Sequence, residues 1–193
     1  MADTKPHAKS KIDSIKSVIK RRGVSRGNLF EIDLGGLYST LSVASENEVR
    51  DLEILITKAT LPTRNLITFE HGIYRNDTSF VSGYVNSGFT ADFTLTEDYL
   101  AKKVFNRWLN RVISKTRYTV NYKSTYTCDI GIKQLKRDEE NTVIYEAKLE
   151  NCFPKGISEI SLDSGPAGLP TVSVEFLYDD IEFKEYDSNM VNI

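Results

Sequence analysis

At 193 residues the chain is long enough for one domain with an arm, and a core of that size holds without cross-links. Hydrophobic residues make up 40% of it and charged residues 27%, and ten Tyr and nine Phe lean the composition towards β structure. No apolar run approaches the roughly 18 residues of a membrane helix, and MADTKPHAKSK lacks the apolar stretch of a signal peptide, so a chain that stays where it is made is expected.

The formal charge of −2 conceals an uneven distribution. Residues 1–28 carry eight Lys and Arg against Asp3 and Asp13, a net +6, which leaves −8 on residues 29–193. In KSKIDSIKSVIKRR, Ile12, Ile15 and Ile19 recur at helical spacing while Lys11, Lys16, Lys20, Arg21 and Arg22 take other faces. That spacing predicts a short amphipathic helix. Its stripe is too thin to hold a fold alone and suits a partner surface. A basic arm of this kind serves nucleic acid, an anionic membrane or an acidic protein neighbour, or is simply solvated. The division expected is an arm over 1–26, a body over 27–183 and a tail over 184–193.

NLFEIDL, residues 28–34, alternates Phe30, Ile32 and Leu34 against Leu29, Glu31 and Asp33, a half-buried strand that Gly35 and Gly36 end. DLEILITKATLP reads as a second strand closed by Leu61 and Pro62, since proline cannot donate to a ladder. Between Thr63 and Ser87, LITFEH and SFVSGYV flank RNDTS and predict a long hairpin or protruding loop. A helix follows, with Leu100, Ala101, Val104, Phe105, Trp108, Leu109, Val112 and Ile113 on one apolar face. Thr94 with Glu97, or Thr96, is positioned to cap it. Trp108 is expected in the core.

From Tyr118 to Ile132 the alternation lengthens. Tyr118, Val120, Tyr122, Tyr126, Cys128, Ile130 and Ile132 oppose Thr119, Asn121, Lys123, Thr125, Thr127 and Asp129, which predicts one long strand with a wet face. KRDEEN turns it, and Val143, Tyr145, Ala147 and Leu149 carry the return. In LENCFPKGISEISLD, Phe153 continues the odd-numbered face, but beyond Pro154, Lys155 and Gly156 the apolar residues are Ile160 and Leu162. The chain is therefore expected to turn a corner or switch sheets there. GPAGLP is a further turn, and Val172, Val174, Phe176 and Tyr178 form the last strand before an acidic tail.

No pattern for catalysis or cofactor binding accompanies these elements. His7 and His71 do not combine with Cys128 and Cys152 at any metal-binding spacing, and the two cysteines, set in apolar alternating segments, read as buried reduced thiols. Phosphate-binding and nucleophile motifs are absent from the sequence. Asp138, Glu139 and Glu140 at a hairpin tip, and Asp179 with Asp180 after an edge strand, read as solvated charge. Neither an enzyme, a metal nor a cofactor is expected.

The order of RGNLFEIDL, TKATLP, a Trp-bearing helix, a tyrosine-rich strand, YEAKLENCFPKGISEISLD and VSVEFLYDDIEF resembles the tail tube protein of contractile-tailed, myovirus-type bacteriophages. The similarity spans about residues 26–183 and is most specific over LENCFPKGISEISLD. It implies a mainly β, antiparallel sandwich or split barrel with one flanking amphipathic helix, whose subunits form hexameric rings that stack into a tube with a shared inner β-barrel. The needle protein of type VI secretion shares that fold. Implied partners are further copies of the chain, the tail sheath protein, a baseplate tube initiator and a tail terminator, with no membrane. Genomic DNA passes through without specific binding, in a virion tail assembled in the host cytoplasm.

On this resemblance Leu61, Pro62, Phe153, Pro154 and Gly156 match structural corners, and Leu100, Val104, Phe105, Trp108 and Val112 form the helix core. Thr119, Asn121, Lys123, Thr125, Thr127 and Asp129 are the candidate lumen or interface face, by parity. Arg64, His71, Arg75 and Tyr84 mark a candidate inter-ring loop. The basic arm is longer than the usual family start, so a baseplate initiator, a type VI-like needle and a nucleic-acid-binding module using the arm stand as alternatives.

Overall fold

The computed structural model describes residues 9–23, 27–73, 76–115, 118–137, 142–160 and 168–186. Helix α1 spans Lys9–Arg22, as the isoleucine spacing predicts. Strand β1, Phe30–Asp33, turns Ile32 inward, with Leu34 buried just beyond it. A four-residue helix α2, Gly36–Ser39, leads to helix α3, Glu46–Ile54, and then to strand β2, Ile56–Ala59.

The first half of the expected strand DLEILITKATLP is thus helical, and the reason is local. Ser45 Oγ accepts from Glu48 N at 3.3 Å while the Glu48 carboxylate accepts from Ser45 N at 2.8 Å, a reciprocal cap that satisfies two free helix-end donors. Val49 and Leu52, three residues apart, are then buried together. Beyond the arm helix and the flanking helix expected, the described residues hold two more, α2 and α3.

The same glutamate ties α3 to the long helix α4, Leu100–Val112, through Arg107 Nη2 at 3.0 Å. The Arg107 hydrogen bond, followed by the Ser45 N–H, holds the Glu48 carboxyl down at about 2, below its ordinary 4.5. A depressed folded-state value stabilises the fold above the unfolded value and loses that stability as pH falls through the folded one. Stability is therefore expected to decline between about pH 4.5 and 2 partly through this residue. Urea denaturation of Glu48→Gln should show lower stability at pH 7 and a flatter decline across that window.

Strands β3, Arg64–Ile73, and β4, Asn76–Asn86, pair along their length as a separate two-stranded hairpin, as read from the sequence. Strand β5, Phe89–Thr94, precedes α4. Tyr99, left-handed at φ 57°, holds the N-cap position of α4 without a side-chain cap, in place of the Thr94 or Thr96 cap expected, although Thr96 Oγ1 accepts from Leu100 N at 3.3 Å. After α4 come a short ribbon of β6, Ile113–Ser114, and β7, Thr119–Val120, then a 3₁₀ turn at Lys123–Thr125. Strands β8, Cys128–Leu135, β9, Val143–Ile157, β10, Thr171–Leu177, and β11, Asp180–Glu185, are the remaining described elements.

The main sheet runs β1-β8-β9-β10-β5-β2, antiparallel throughout, with β11 also on β9. Strand β9 is shared: its first half lies between β8 and β11, and its second half pairs with β10. The result is a mainly β antiparallel split architecture, not a closed barrel. Its core receives α4, whose Phe105 lies 4.9 Å from Phe93 and 5.7 Å from Phe176 between ring centroids. Leu100, Val104 and Trp108 are buried beside it and Val112 is half-buried. Trp108 Nε1 donates to the Tyr126 carbonyl at 2.7 Å.

The change of sheet expected around Pro154 occurs, but within one continuous strand and in two steps. Ala147 and Leu149 face the core, then Cys152 and Pro154 do, so the parity flips at Glu150 and Asn151. Asn151 is left-handed, with φ 54°, and its N–H donates to Asp129 Oδ1 at 3.2 Å where the β8–β9 register slips. A second slip leaves Lys155 between the pairs Gly156 with Glu175 and Pro154 with Phe176. A bulge tolerates a residue that cannot donate.

Phe153 therefore does not continue the Leu149 face; it is half-buried and meets Tyr126 edge-on at 5.6 Å. Ile160 packs against the core, while Leu162 lies outside the described residues. The acidic tail is also corrected: residues 180–185 form β11, running past the boundary expected at 183, because Ile181 faces the core and Phe183 lies 5.8 Å from Tyr145. Pro62 is buried and Leu61 exposed at the other expected corner.

Candidate assembly surfaces

Among the described residues no three His, Cys, Asp or Glu are grouped to hold a metal ion. Cys128 and Cys152 face each other across β8 and β9 as buried free thiols. Burial is the main cause that pushes Cys128 up to about 12 and Cys152 higher still, so both stay protonated and poorly nucleophilic. Three surface features stand out.

The first is the outer face of β1, β8, β9 and β11. Register places Glu31 beside Lys133, then Glu146 and Lys184; the next row is Asp33, Gly131, Lys148 and Glu182, and beyond it lie Asp129, Glu150 and Asp180. Seven carboxylates share this face with three lysines. Lys148 meets Asp129 at 3.0 Å and Lys184 meets Glu182 at 3.7 Å, which leaves the face negative. The opposite side of the same strands is core: Ile32, Ile130, Ile132, Ala147, Leu149 and Ile181.

This replaces the face expected by parity over residues 119–129. Tyr118 is left-handed, with φ 53°, and Thr125 and Thr127 hydroxyls donate to the Tyr122 and Lys123 carbonyls at 2.6 and 3.0 Å, which winds the segment into the 3₁₀ turn. Thr119 lies on β7, Asn121 donates to the Arg111 carbonyl at 2.6 Å, and Lys123 is paired with Asp179. Thr127 is buried, and Asp129 alone joins the acidic face. Tyr118, Val120 and Tyr122, expected inside, are exposed.

The second feature is the β3–β4 hairpin. Its root is anchored: Arg64 Nη2 donates to Asp180 Oδ1 at 2.9 Å and its guanidinium lies 4.5 Å from the Tyr84 ring centre. Asn86 Nδ2 donates to the Asp179 carbonyl at 3.1 Å, and the Tyr178 hydroxyl donates to the Ser87 carbonyl at 2.7 Å. The Asp179 and Asp180 carboxylates, expected as solvated charge, thus tie the 3₁₀ turn and the hairpin to the start of β11. Arg64 and Tyr84 belong to this root rather than to a loop tip, His71 lies on the outer half of β3, and Arg75 is outside the described residues.

Beyond the root, one face of the hairpin carries Ile67, Phe69, Phe80 and Val85, each about half exposed, with the two phenyl rings stacked at 5.7 Å. The other carries Leu66, Val81 and Tyr84 among polar residues, and these three are exposed as well. The alternation in LITFEH and SFVSGYV contains this pattern. A register shift between Ile67 and Thr68 hides which residues share a face.

The third feature is supplied by the strands that end the sheet. β1, β2 and β11 each pair on one side only among the described residues. A sequence profile of phage tail tube proteins matches residues 25–184, most of the body and none of α1. The chain belongs to the phage tail tube protein family.

Solved structures place the tail tube fold of this chain among contractile injection systems. The tube-terminating cap of the anti-feeding prophage is similar at a TM-score of 0.60 and 16% identity, over 84% of this chain and 91% of that one. A chain of the sheath-tube complex of an extracellular contractile injection system, in its extended state, gives 0.56 and 15%, over 88% and 97%. A chain of the sheath/tube terminator of that kind of system gives 0.55 and 14%, over 80% and 92%. No curated protein sequence matches the chain.

Proposed function

We propose that the protein is a structural subunit of a phage tail tube, closing into hexameric rings that stack inside a contractile sheath to form the conduit for DNA ejection. The observation that carries this reading is the β3–β4 hairpin, a two-stranded element exposed on both sides and bearing seven large apolar or aromatic residues that the other described residues leave about half exposed or more. An isolated hairpin is marginal in water, and contiguous exposed apolar surface of this kind marks an interface. Neighbouring copies in a ring and in the next ring supply the cover. Ring closure also removes the open edges of β1, β2 and β11, which would otherwise invite uncontrolled pairing.

The part of the acidic face on β8, β9 and β11, with Asp129, Glu146, Glu150, Asp180 and Glu182, suits the lumen, while Glu31 and Asp33 of β1 lie at the open edge of the sheet. Phosphates are repelled by carboxylates, whereas a basic wall would hold DNA by releasing its counterions. The role is structural rather than catalytic, and its place is the virion tail, reached by assembly in the host cytoplasm with sheath, baseplate initiator and terminator as partners. Negative-stain electron microscopy across a concentration series is expected to show six-fold rings and hollow tubes. Monodisperse monomers at every concentration would overturn the reading.

A further inference from the structure

The tube reading leaves α1 unused, because the core and everything packed against it begin at Phe30. Yet α1 is a well-terminated helix. Gly23 follows it at φ +75°, and its N–H donates to the Ile19 carbonyl at 2.8 Å, the left-handed stop that glycine takes without strain. Lys20, Arg21 and Arg22 sit in the last turn, where cations meet the negative end of the dipole. Six Lys and Arg against Asp13 give the helix a net +5, and Ile12, Ile15, Val18 and Ile19 are 46–58% exposed. A helix of this length is marginal on its own in water, so its order requires a surface that takes both the charge and the stripe.

The body carries such a surface beside its open edge. Glu31 and Asp33 lie on the solvent side of β1, and Glu53 of α3 reaches across to accept from Leu34 N at 2.8 Å. Burial foremost, and then the charges of Asp33 and Glu31, raise the Glu53 carboxyl above its ordinary value, so negative charge is crowded there. Next to it Ile54 stands 74% exposed, three residues along α3 from the exposed Asp51 and therefore its neighbour on the helix surface. Acid with an exposed isoleucine on one side answers base with isoleucines on the other.

We propose that α1 is an intersubunit clamp, seated on the Glu31, Asp33, Asp51, Glu53 and Ile54 patch of a second copy of the chain. The proposal rests on self-assembly as given above. A second copy is the occupant because the stripe is uncovered by the other described residues of its own chain. DNA phosphates have no use for four aliphatic side chains, and helices that lie in a membrane interface present Trp, Phe or Leu, none of which occurs in α1. Docking also neutralises the basic arm, so the assembled conduit does not grip its DNA.

The test uses the full chain carrying Ser17→Cys, with a fluorophore on that exposed thiol and the two native cysteines buried. The probe is expected to lose mobility as the protein assembles, less so at high salt. Lys16→Glu with Lys20→Glu and Arg21→Glu should raise the concentration needed for assembly by at least about tenfold, and Glu31→Lys with Asp51→Lys should restore it. Assembly at the wild-type concentration by the reversed variant, or assembly with the probe still mobile, overturns the clamp and leaves the tube reading standing. A monomer with a mobile probe at every concentration overturns both. Immobilisation that is independent of concentration assigns the helix to its own body. Immobilisation by duplex DNA or anionic vesicles without assembly assigns it to those partners, and either result overturns the clamp.

Discussion

Trp108→Ala is expected to destabilise the body by about 3–5 kcal/mol, a large part of the stability of a domain this size. The side chain is fully buried, its ring lies 6.0 Å from that of Phe176 and 6.4 Å from that of Phe105, and truncation opens a cavity between α4 and the sheet. It also leaves the Tyr126 carbonyl without the indole N–H that meets it at 2.7 Å. Trp108→Phe separates the two effects: it keeps an apolar ring but not the donor, and should cost about 1–3 kcal/mol. Since Trp108 is the single tryptophan, urea denaturation followed by far-UV circular dichroism is the measurement. An Ala variant within about 1 kcal/mol of wild type would contradict the position of α4 in the core.

The consequence reaches the assembly surfaces, because α4 holds parts of them in place. Arg107 meets Glu48 of α3, Arg111 Nε donates to the Thr125 carbonyl at 2.9 Å, and the Arg111 carbonyl accepts from Asn121. The patch on α3 and the turn that carries Lys123 to Asp179 both depend on a helix that is itself fixed by burial. Stability and assembly are therefore coupled through one element.

That element was legible in the sequence because its apolar stripe is unbroken over three turns, so one period suffices to read it. The strands around Ile32 and Val174 were legible for the same reason at period two. The segment around Ile54 was not: DLEILIT has the β-branched content of a strand, and the Ser45 and Glu48 cap that decides for helix lies upstream of the apolar run. Over residues 118–127 a regular alternation was overridden by threonine hydroxyls that bind their own backbone.

The negative lumen candidate was missed for a related reason. Its residues lie on three strands brought together only by register, and β9 changes face at a left-handed Asn151 that parity cannot reveal. The basic arm and acidic body were plain in the charge distribution, but the patch that matches the arm needed α3 to be a helix beside β1. Local signals gave the elements, and pairing gave the faces.

Phe69→Thr combined with Phe80→Thr is expected to leave the single chain folded and to abolish tube formation at concentrations where the wild type assembles. The two rings are stacked on each other, each about half exposed, and belong to no part of the core, so their loss should change the free energy of unfolding by no more than about 0.5 kcal/mol. A cross-strand threonine pair suits the hairpin, which keeps its backbone pairing and its root at Arg64, Asp180 and Asn86. The apolar area available to a neighbour is what changes. Burying a phenyl side chain contributes about 1.5–3 kcal/mol, so losing the exposed half of two removes about 1.5–3 kcal/mol per contact. That corresponds to roughly a ten- to hundredfold rise in the concentration needed for assembly, and more where each subunit makes the contact twice. Electron microscopy and sedimentation velocity of the same samples separate the outcomes: folded monomers without tubes place the hairpin face in the interface, whereas tubes at the wild-type concentration would mean that this face stays in solvent and that the ring closes through the sheet edges alone.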